Sequence, residues 1–389
     1  MKGSFFSSTL FKLLIAVVVG IVAGLFVGEG FMNIVVTIKY IVGQLIFFMV
    51  PLIVLSFVSS SIAKMGGAAS KMLSLSLSLA YLSSIGAAFM AMALGYKILP
   101  HLTVAEGLEA QRALPELMFE FNITPVMSVV SALVLAIMLG LSAVWSSSGR
   151  VNELLSDFQR MVLLLIERVL IPLLPIFVAA NFCALSFEGV ITKQLPIFLN
   201  VMVVVLAAHF VWLFVLYAVA GVVSLKNPWQ VLRYYAPPYF TAVGTMSSAA
   251  TLPVSLAAAK RSPLLRDQTV DFAVPIFSNI HLCGSILTEV FFVMTVSKLL
   301  YGDFPTPATM ALFILLLGIF AVGAPGVPGG TVIASLGIVV SILGFDATGT
   351  ALLLTIFALQ DSFGTACNVV GDGALTLIVE RYNRVEWQG

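Results

Sequence analysis

The sequence predicts an all-α polytopic membrane protein, and three observations carry that prediction. Of 389 residues, 60% are hydrophobic and 10% charged, with a mean hydropathy of +1.10; soluble domains carry roughly 25% charged residues. Apolar runs long enough to cross a bilayer, about 20 residues each, recur along the whole chain. The later runs are interrupted by SSAATLP at 247–253 and GAPGVPGG at 323–330, and irregular backbone at membrane depth survives only inside protein or around a cavity. A net charge of +1 without a basic patch argues against a nucleic-acid partner. Cys183, Cys283 and Cys367 all lie in apolar segments, which gives no disulfide framework and no metal motif.

The first run begins after Lys2 and Lys12 and covers 9–30. It lacks a small-residue cleavage site, so it reads as a transmembrane helix rather than a signal peptide. Ordinary spans follow at 34–63, 72–99, 124–146, 156–186 and 195–224. Three longer or broken regions come next, at 236–300, 307–343 and 348–380. Each Ser/Thr or Gly/Pro break is predicted to be the tip of a re-entrant helical hairpin, at about 236–260 and about 307–343; the alternative is a plain helix kinked by Pro or Gly. Two such breaks in corresponding positions of two halves point to the binding site of a secondary transporter. Twelve Lys/Arg near the span ends share the side of the N-terminus and four lie opposite, so the positive-inside rule predicts both termini in the cytoplasm. The connection at 98–123, with Glu106, Glu109, Glu116 and Glu120, is then an external loop, and the two hairpins enter from opposite sides.

The candidate chemistry concentrates near the C-terminus. Asp361, Thr365, Asn368 and Asp372 are spaced i, i+4, i+7, i+11, which puts them on one stripe of a helix. A carboxylate in hydrocarbon costs at least about 2.5 kcal/mol, so the stripe faces protein, ions or a ligand. Ser247 and Ser248 offer hydroxyls beside a non-helical tip whose free N–H groups suit a carboxylate; the plainer reading is that they satisfy local backbone. The Gly/Pro break offers carbonyl oxygens for a small cation and glycine hinges for a gate. His281, Ser285 and Glu289 are spaced i, i+4, i+8 and are predicted to share a helix face. Glu289 and His281 are the proton-carrying candidates, against a bland reading in which His281 is a core histidine and Glu289 pairs with Lys298 or snorkels to an interface. His209 reads as a hydrogen-bonding group inside the bundle.

SSAATLP, GAPGVPGG and DSFGTACNVVGD, in this order and at these separations, resemble the dicarboxylate/amino acid:cation symporter family, as does the second span QLIFFMVPLIVLSFVSSSIAKM. The resemblance implies eight transmembrane helices plus two re-entrant hairpins, inverted repeats and a homotrimer in the cell membrane. It implies a static scaffold of helices 1–2 (residues 1–71) and 4–5 (101–190). Helix 3 (72–100) and residues 191–389 would form an elevator-type transport domain. Asp361 matches the aspartate that holds the substrate's amino group; Thr365 and Asn368 match residues meeting its amino and carboxylate groups. Ser247 and Ser248 match the first hairpin's carboxylate-binding tip, Gly326 and Val327 lie in the second hairpin's gate, and Asn368 with Asp372 match a sodium site.

Two departures from the family pattern refine the expectation. Members that carry aspartate or glutamate have an arginine where this chain has Gly364, and Met246 supplies no substitute. A guanidinium is the natural clamp for a side-chain carboxylate, so the glycine is expected to leave an uncharged space that favours a neutral substrate. The family's seventh helix usually reads NMDGT; here it reads HLCGS, with His281 and Cys283 in place of oxygen ligands, and the third-helix stretch IGAAFMAMALG shows no polar residues to help. Hard cations want oxygen. Glu289 occupies the position of a proton-transporting glutamate in the neuronal members. The resemblance therefore implies fewer sodium ions and a role for protons, with the hairpin carbonyls and Asp372 left as places for sodium.

The resulting expectation is a symporter of an amino acid, neutral rather than acidic, driven by sodium, protons or both, without enzymatic chemistry or a cofactor beyond the coupling ion. The alternatives are a dicarboxylate or other organic-anion symporter, a conducting channel, and an intramembrane hydrolase, for which no GxSxG elbow is present.

Overall fold

The structure, a computed structural model, describes residues 9–65, 71–102, 112–189, 191–322, 324 and 329–386, and among them no strand occurs. The first half of the chain forms α1 (Thr9–Phe26), α2 (Glu29–Met65), α3 (Lys71–Ile98), α4 (Val129–Ser146), α5 (Gly149–Leu165), α6 (Ile171–Phe187) and α7 (Ile191–Ser224). A π-helical turn, Ile166–Leu170, joins α5 to α6 without a break. Pro172 enters α6 just after it; a proline lacks the N–H an α-turn needs, and the wider turn accommodates it.

The second half is more broken. It consists of α8 (Trp229–Leu232), α9 (Ala236–Thr245), α10 (Ser248–Lys260), α11 (Asp267–Ile280), α12 (Cys283–Tyr301), α13 (Pro307–Val322), α14 (Gly330–Leu343) and α15 (Ala347–Glu386). The α9–α10 and α13–α14 pairs coincide with the two expected hairpins. Among the described residues, five stretches are long and apolar enough to cross a membrane: Leu73–His101, Gly149–Phe187, Pro196–Ser224, Asp267–Tyr301 and Ala347–Tyr382. The apolar stretches in α1 and α4, Phe11–Phe26 and Val134–Ser146, are shorter, close to or below the span a bilayer needs.

Packing sorts these helices into two groups. In one, α1 lies along α6, and α2 packs on α4, α5 and α6. The α1–α6 seam is made by Gly20 and Gly24, a small-xxx-small pair: a Cβ at Gly20 would stand 3.0 Å from Phe182 Cβ, and one at Gly24 would stand 2.7 Å from Ser186 Cβ. In the other group α12 and α15 lie side by side, sheathed by α3, α7, α9, α11, α13 and α14. The most apolar windows of Asp267–Tyr301 and Ala347–Tyr382 are each 94% buried, against 33% for Leu73–His101. These two units are therefore the core, and polar residues on them must be satisfied by protein or ligand. The groups meet where α14 packs on α2 and α4, and where Met246 joins Leu13, Ala16, Val178, Phe182 and Ala358 in one apolar cluster. At one end Arg266 ties down α15 through Glu380, with Nε 2.8 Å from Oε1 and the backbone N–H donating to Oε2 at 3.2 Å.

Candidate functional site

The polar stripe of α15 is buried along its full length: Asp361, Thr365, Asn368 and Asp372 are each at most 5% exposed. Two helix N-termini, those of α12 and α14, reach it, and three of the surrounding segments are interrupted.

The first interruption is shorter than the sequence suggested. Only Met246 and Ser247 leave the helix between α9 and α10; the rest of SSAATLP is already α10, with Pro253 inside it. Met246 adopts a left-handed conformation with φ +53, costly for a residue with a Cβ, and its side chain is locked in the apolar cluster with Ala358 of α15. Ser247 is the N-cap of α10: its Oγ accepts the Ala250 N–H at 3.2 Å, and Thr251 Oγ1 donates to the Ser247 carbonyl at 2.9 Å. The Ser247 and Thr251 hydroxyls thus make local backbone hydrogen bonds. Ser248 is buried at the first position of α10.

The second interruption falls between α13 and α14. Gly326 and Val327 lie outside the described residues. Gly329 does not: it has φ +72, and its backbone N–H donates to Asp361 Oδ2 at 2.6 Å. The Asp361 carboxylate therefore sits at the mouth of the second hairpin, about one helical turn from the Met246–Ala358 contact of the first.

The third interruption was not foreseen. His281, Ser285 and Glu289 do not share one continuous helix face, because the helix is broken at His281–Leu282. His281 is the C-cap of α11, with φ −100 and ψ 103, and Leu282 precedes α12. Leu282 has no side chain able to cap α12, and Asn368 of α15 does so instead. Its Oδ1 accepts the N–H groups of Gly284 at 2.7 Å and Ser285 at 3.2 Å, and its Nδ2 donates to Ser285 Oγ at 2.9 Å.

Gly364 is likewise not a space. A Cβ there would stand 3.2 Å from Ser285 Cα and 3.3 Å from Ser285 N. On α12 a Cβ at Gly284 would stand 2.5 Å from Cys367 Cβ. The two glycines let α12 and α15 touch backbone to backbone, so the room expected from a missing side chain is filled by the neighbouring helix.

The break swings the His281 ring toward α15. His281 Nδ1 is 2.9 Å from Asp372 Oδ1, and Ser278 Oγ donates to Asp372 Oδ2 at 3.3 Å. Nε2 of the same ring is 2.9 Å from Ser83 Oγ on α3. The sequence reading missed Ser83 because it aligned a later, apolar stretch of the third helix with the site; the run of serines at 74–84 was the available signal. Glu289 is fully buried on α12. Its Oε1 accepts the Ser335 hydroxyl of α14, and its Oε2 has no partner. Lys298 is not its partner: its ammonium donates to the Gly302 carbonyl. His209 makes the interior hydrogen bonds expected of it, with Nε2 2.9 Å from Thr288 Oγ1 and 3.1 Å from the Gly284 carbonyl.

Human excitatory amino acid transporter 3 is 26% identical over 265 residues, covering 67% of this chain and 49% of the relative. The mouse protein of that name is 29% identical over 196 residues, covering 50% and 37%. Human excitatory amino acid transporter 1 is 26% identical over 210 residues, covering 54% and 38%. The matched stretch thus spans less than half the length of each of these relatives. The sodium:dicarboxylate symporter family matches residues 10–382, nearly the whole chain. This family and these relatives are transporters rather than enzymes. With its two hairpins around a buried polar helix, this all-α chain belongs to the sodium:dicarboxylate symporter family.

Proposed function

We propose that the chain imports a neutral amino acid across the cell membrane by symport with sodium, protons or both. The observation that carries this reading is the setting of Asp361. Its carboxylate is buried at the start of α14, the second helix of the second hairpin, held by a backbone N–H at 2.6 Å, and it is the acid on the stripe without a cationic side chain against it. A substrate ammonium is the natural partner for such a group. Ser248, Thr365 and the hairpin tips, Gly326 and Val327 included, would enclose the rest of the substrate.

Neutral selectivity is supported by what is missing. Among the described residues no Lys or Arg is buried, and the imidazole of His281 is spent on Asp372. A second carboxylate on the substrate would enter a dry site unpaired, which is costly. The competing reading, an acidic amino acid or a dicarboxylate, draws on the family's description and on the relatives' designation as excitatory amino acid transporters. A channel would carry current without accumulating substrate.

Alternating access by an elevator is supported by the packing. α1, α2, α4, α5 and α6 form one contact group, and α3, α7 and α9–α15 another. The first would be the scaffold of a homotrimer with cytoplasmic termini; the second would carry substrate across. Glu289 fits a proton-carrying role because its carboxyl bridges α12 to the second hairpin through Ser335, so a change in its protonation acts directly on a gate element. A thermal-shift screen of the purified protein tests the substrate reading, since a ligand that binds only the folded state stabilises it. Neutral amino acids are expected to raise the unfolding temperature and acidic ones to leave it unchanged; the reverse pattern overturns the assignment.

A further inference from the structure

The family to which the chain belongs is described as sodium-coupled, and Asp372 with Asn368 is where the resemblance puts a sodium ion. The oxygens present do not fit one. We infer that Asp372 is not a sodium ligand in this protein, and that the His281 side chain fills the coordination position instead. The inference rests on reading the chain as a cation-coupled carrier, and it concerns which cation that end of the site admits.

Four observations carry it. The first is occupancy: both carboxylate oxygens of Asp372 face donors, Oδ1 the His281 ring nitrogen at 2.9 Å and Oδ2 the Ser278 hydroxyl at 3.3 Å. Each donor takes one of its oxygen's two lone pairs, and the ring donor stands on the side from which a cation would bridge Asp372 to α11–α12. The second is that the resemblance's other ligand is also spent. Asn368 Oδ1 accepts two backbone N–H groups of α12, and those N–H groups form the positive end of a helix dipole, which disfavours a neighbouring cation. The third is that the imidazole is built in rather than loosely placed. Ser83 holds Nε2 at 2.9 Å, the Phe277 ring stands edge-on at 6.3 Å, and His281 is fully buried. Gly371, beside Asp372, leaves the room: a Cβ there would stand 2.8 Å from His281 Cε1. The fourth is the donor set. The side chains near Asp372 include Tyr217, whose hydroxyl donates to the Val370 carbonyl at 2.8 Å, and Tyr235, whose hydroxyl has no partner, while Cys283 lies against the His281 ring. Phenols and a thiol are poor company for a hard cation, which wants several carboxylate, amide or carbonyl oxygens.

The arrangement reverses the usual relation between the two residues. Where a carboxylate is left open, a mobile cation neutralises it and can be exchanged. Here the partner is covalently part of α11–α12 and cannot leave. Sodium, if it couples transport in this protein, binds elsewhere.

The test is the sodium response of the full-length purified protein without substrate, read as the unfolding temperature in about 100 mM NaCl against choline chloride. The absence of substrate separates this outcome from the fate of the transport proposal. In wild type, any sodium response is expected to survive Asp372→Asn unchanged. His281→Asn, which offers an amide oxygen and vacates the imidazole, is expected to add a sodium-dependent rise of several degrees, and His281→Asn/Asp372→Asn to lose that rise again. A wild-type sodium response abolished by Asp372→Asn overturns the inference. So does a His281→Asn protein that gains no response, because the imidazole is then not what keeps sodium out. If His281→Asn fails to fold, His281→Gln, which also offers an amide oxygen, takes its place with the same expected rise and the same overturning result.

Discussion

Replacing Asn368 by alanine separates two roles that one residue can play in such a site. The resemblance makes Asn368 a ligand group; the structure makes it the cap of α12. The magnitude follows from its three hydrogen bonds, at 2.7, 3.2 and 2.9 Å, all buried. Interhelical hydrogen bonds inside membrane proteins average about 0.6 kcal/mol in double-mutant cycles, so three of them set a floor near 2 kcal/mol. Alanine also strands the Gly284 and Ser285 N–H groups, and a buried donor left unsatisfied costs about 1–3 kcal/mol. The Gly284 bond is short and carries most of that, whereas the Ser285 bond at 3.2 Å is weaker. Asn368→Ala should therefore lose about 2–4 kcal/mol of stability in the ligand-free protein, a large share of the roughly 5–15 kcal/mol that folded proteins possess. Reversible unfolding in mixed detergent measures it directly, with Thr365→Ala as the reference on the same stripe. A substrate ligand with no structural duty would show no loss without substrate. An Asn368→Ala protein within about 0.5 kcal/mol of wild type, the range of an ordinary surface change, would refute the capping role.

Three further outcomes follow from the same geometry. Gly284→Ala should destabilise more than Gly364→Ala, because its Cβ would stand 2.5 Å from Cys367 Cβ, against 3.2 Å from Ser285 Cα for the other; overpacking costs about 1–3 kcal/mol, offset at each glycine by about 1 kcal/mol of helix propensity, and thermal unfolding of the pair ranks them. Gly364→Arg should lower stability without conferring acidic-substrate uptake, since α12 occupies the room an arginine needs; measurable uptake of aspartate by that variant would contradict the packing. Glu289→Gln should flatten the pH dependence of uptake while leaving substrate binding intact, because the amide still accepts from Ser335 but has no titratable proton; a variant whose pH profile matched wild type would make Glu289 structural.

What was legible in the sequence, and what was not, divides along one physical line. Local signals read well. The Ser/Thr and Gly/Pro interruptions inside apolar sequence marked helix pairs at about 236–260 and about 307–343, and α9, α10, α13 and α14 begin and end at those bounds. Helical periodicity put the four polar residues of α15 on one buried stripe. Long-range partnership did not read. His281 meets Asp372 and Ser83 at separations of 91 and 198 residues, and no spacing rule connects them. The break at His281–Leu282 was hidden because residues 276–283 hold no proline or glycine; it is held open by the Asn368 cap from another helix. Gly364 was misjudged for a related reason. A glycine in a membrane helix marks close approach as readily as empty space, and only the position of α12 tells which.

The measurement that bears most directly on the central claim is concentrative uptake in proteoliposomes containing the purified chain, with neutral amino acids and with aspartate and glutamate, under imposed sodium and proton gradients. The account predicts accumulation of a neutral amino acid under at least one gradient, abolished by Asp361→Asn because the substrate ammonium loses its charged partner. Accumulation of the acidic substrates alone, accumulation that survives Asp361→Asn, or no accumulation under any gradient would contradict it.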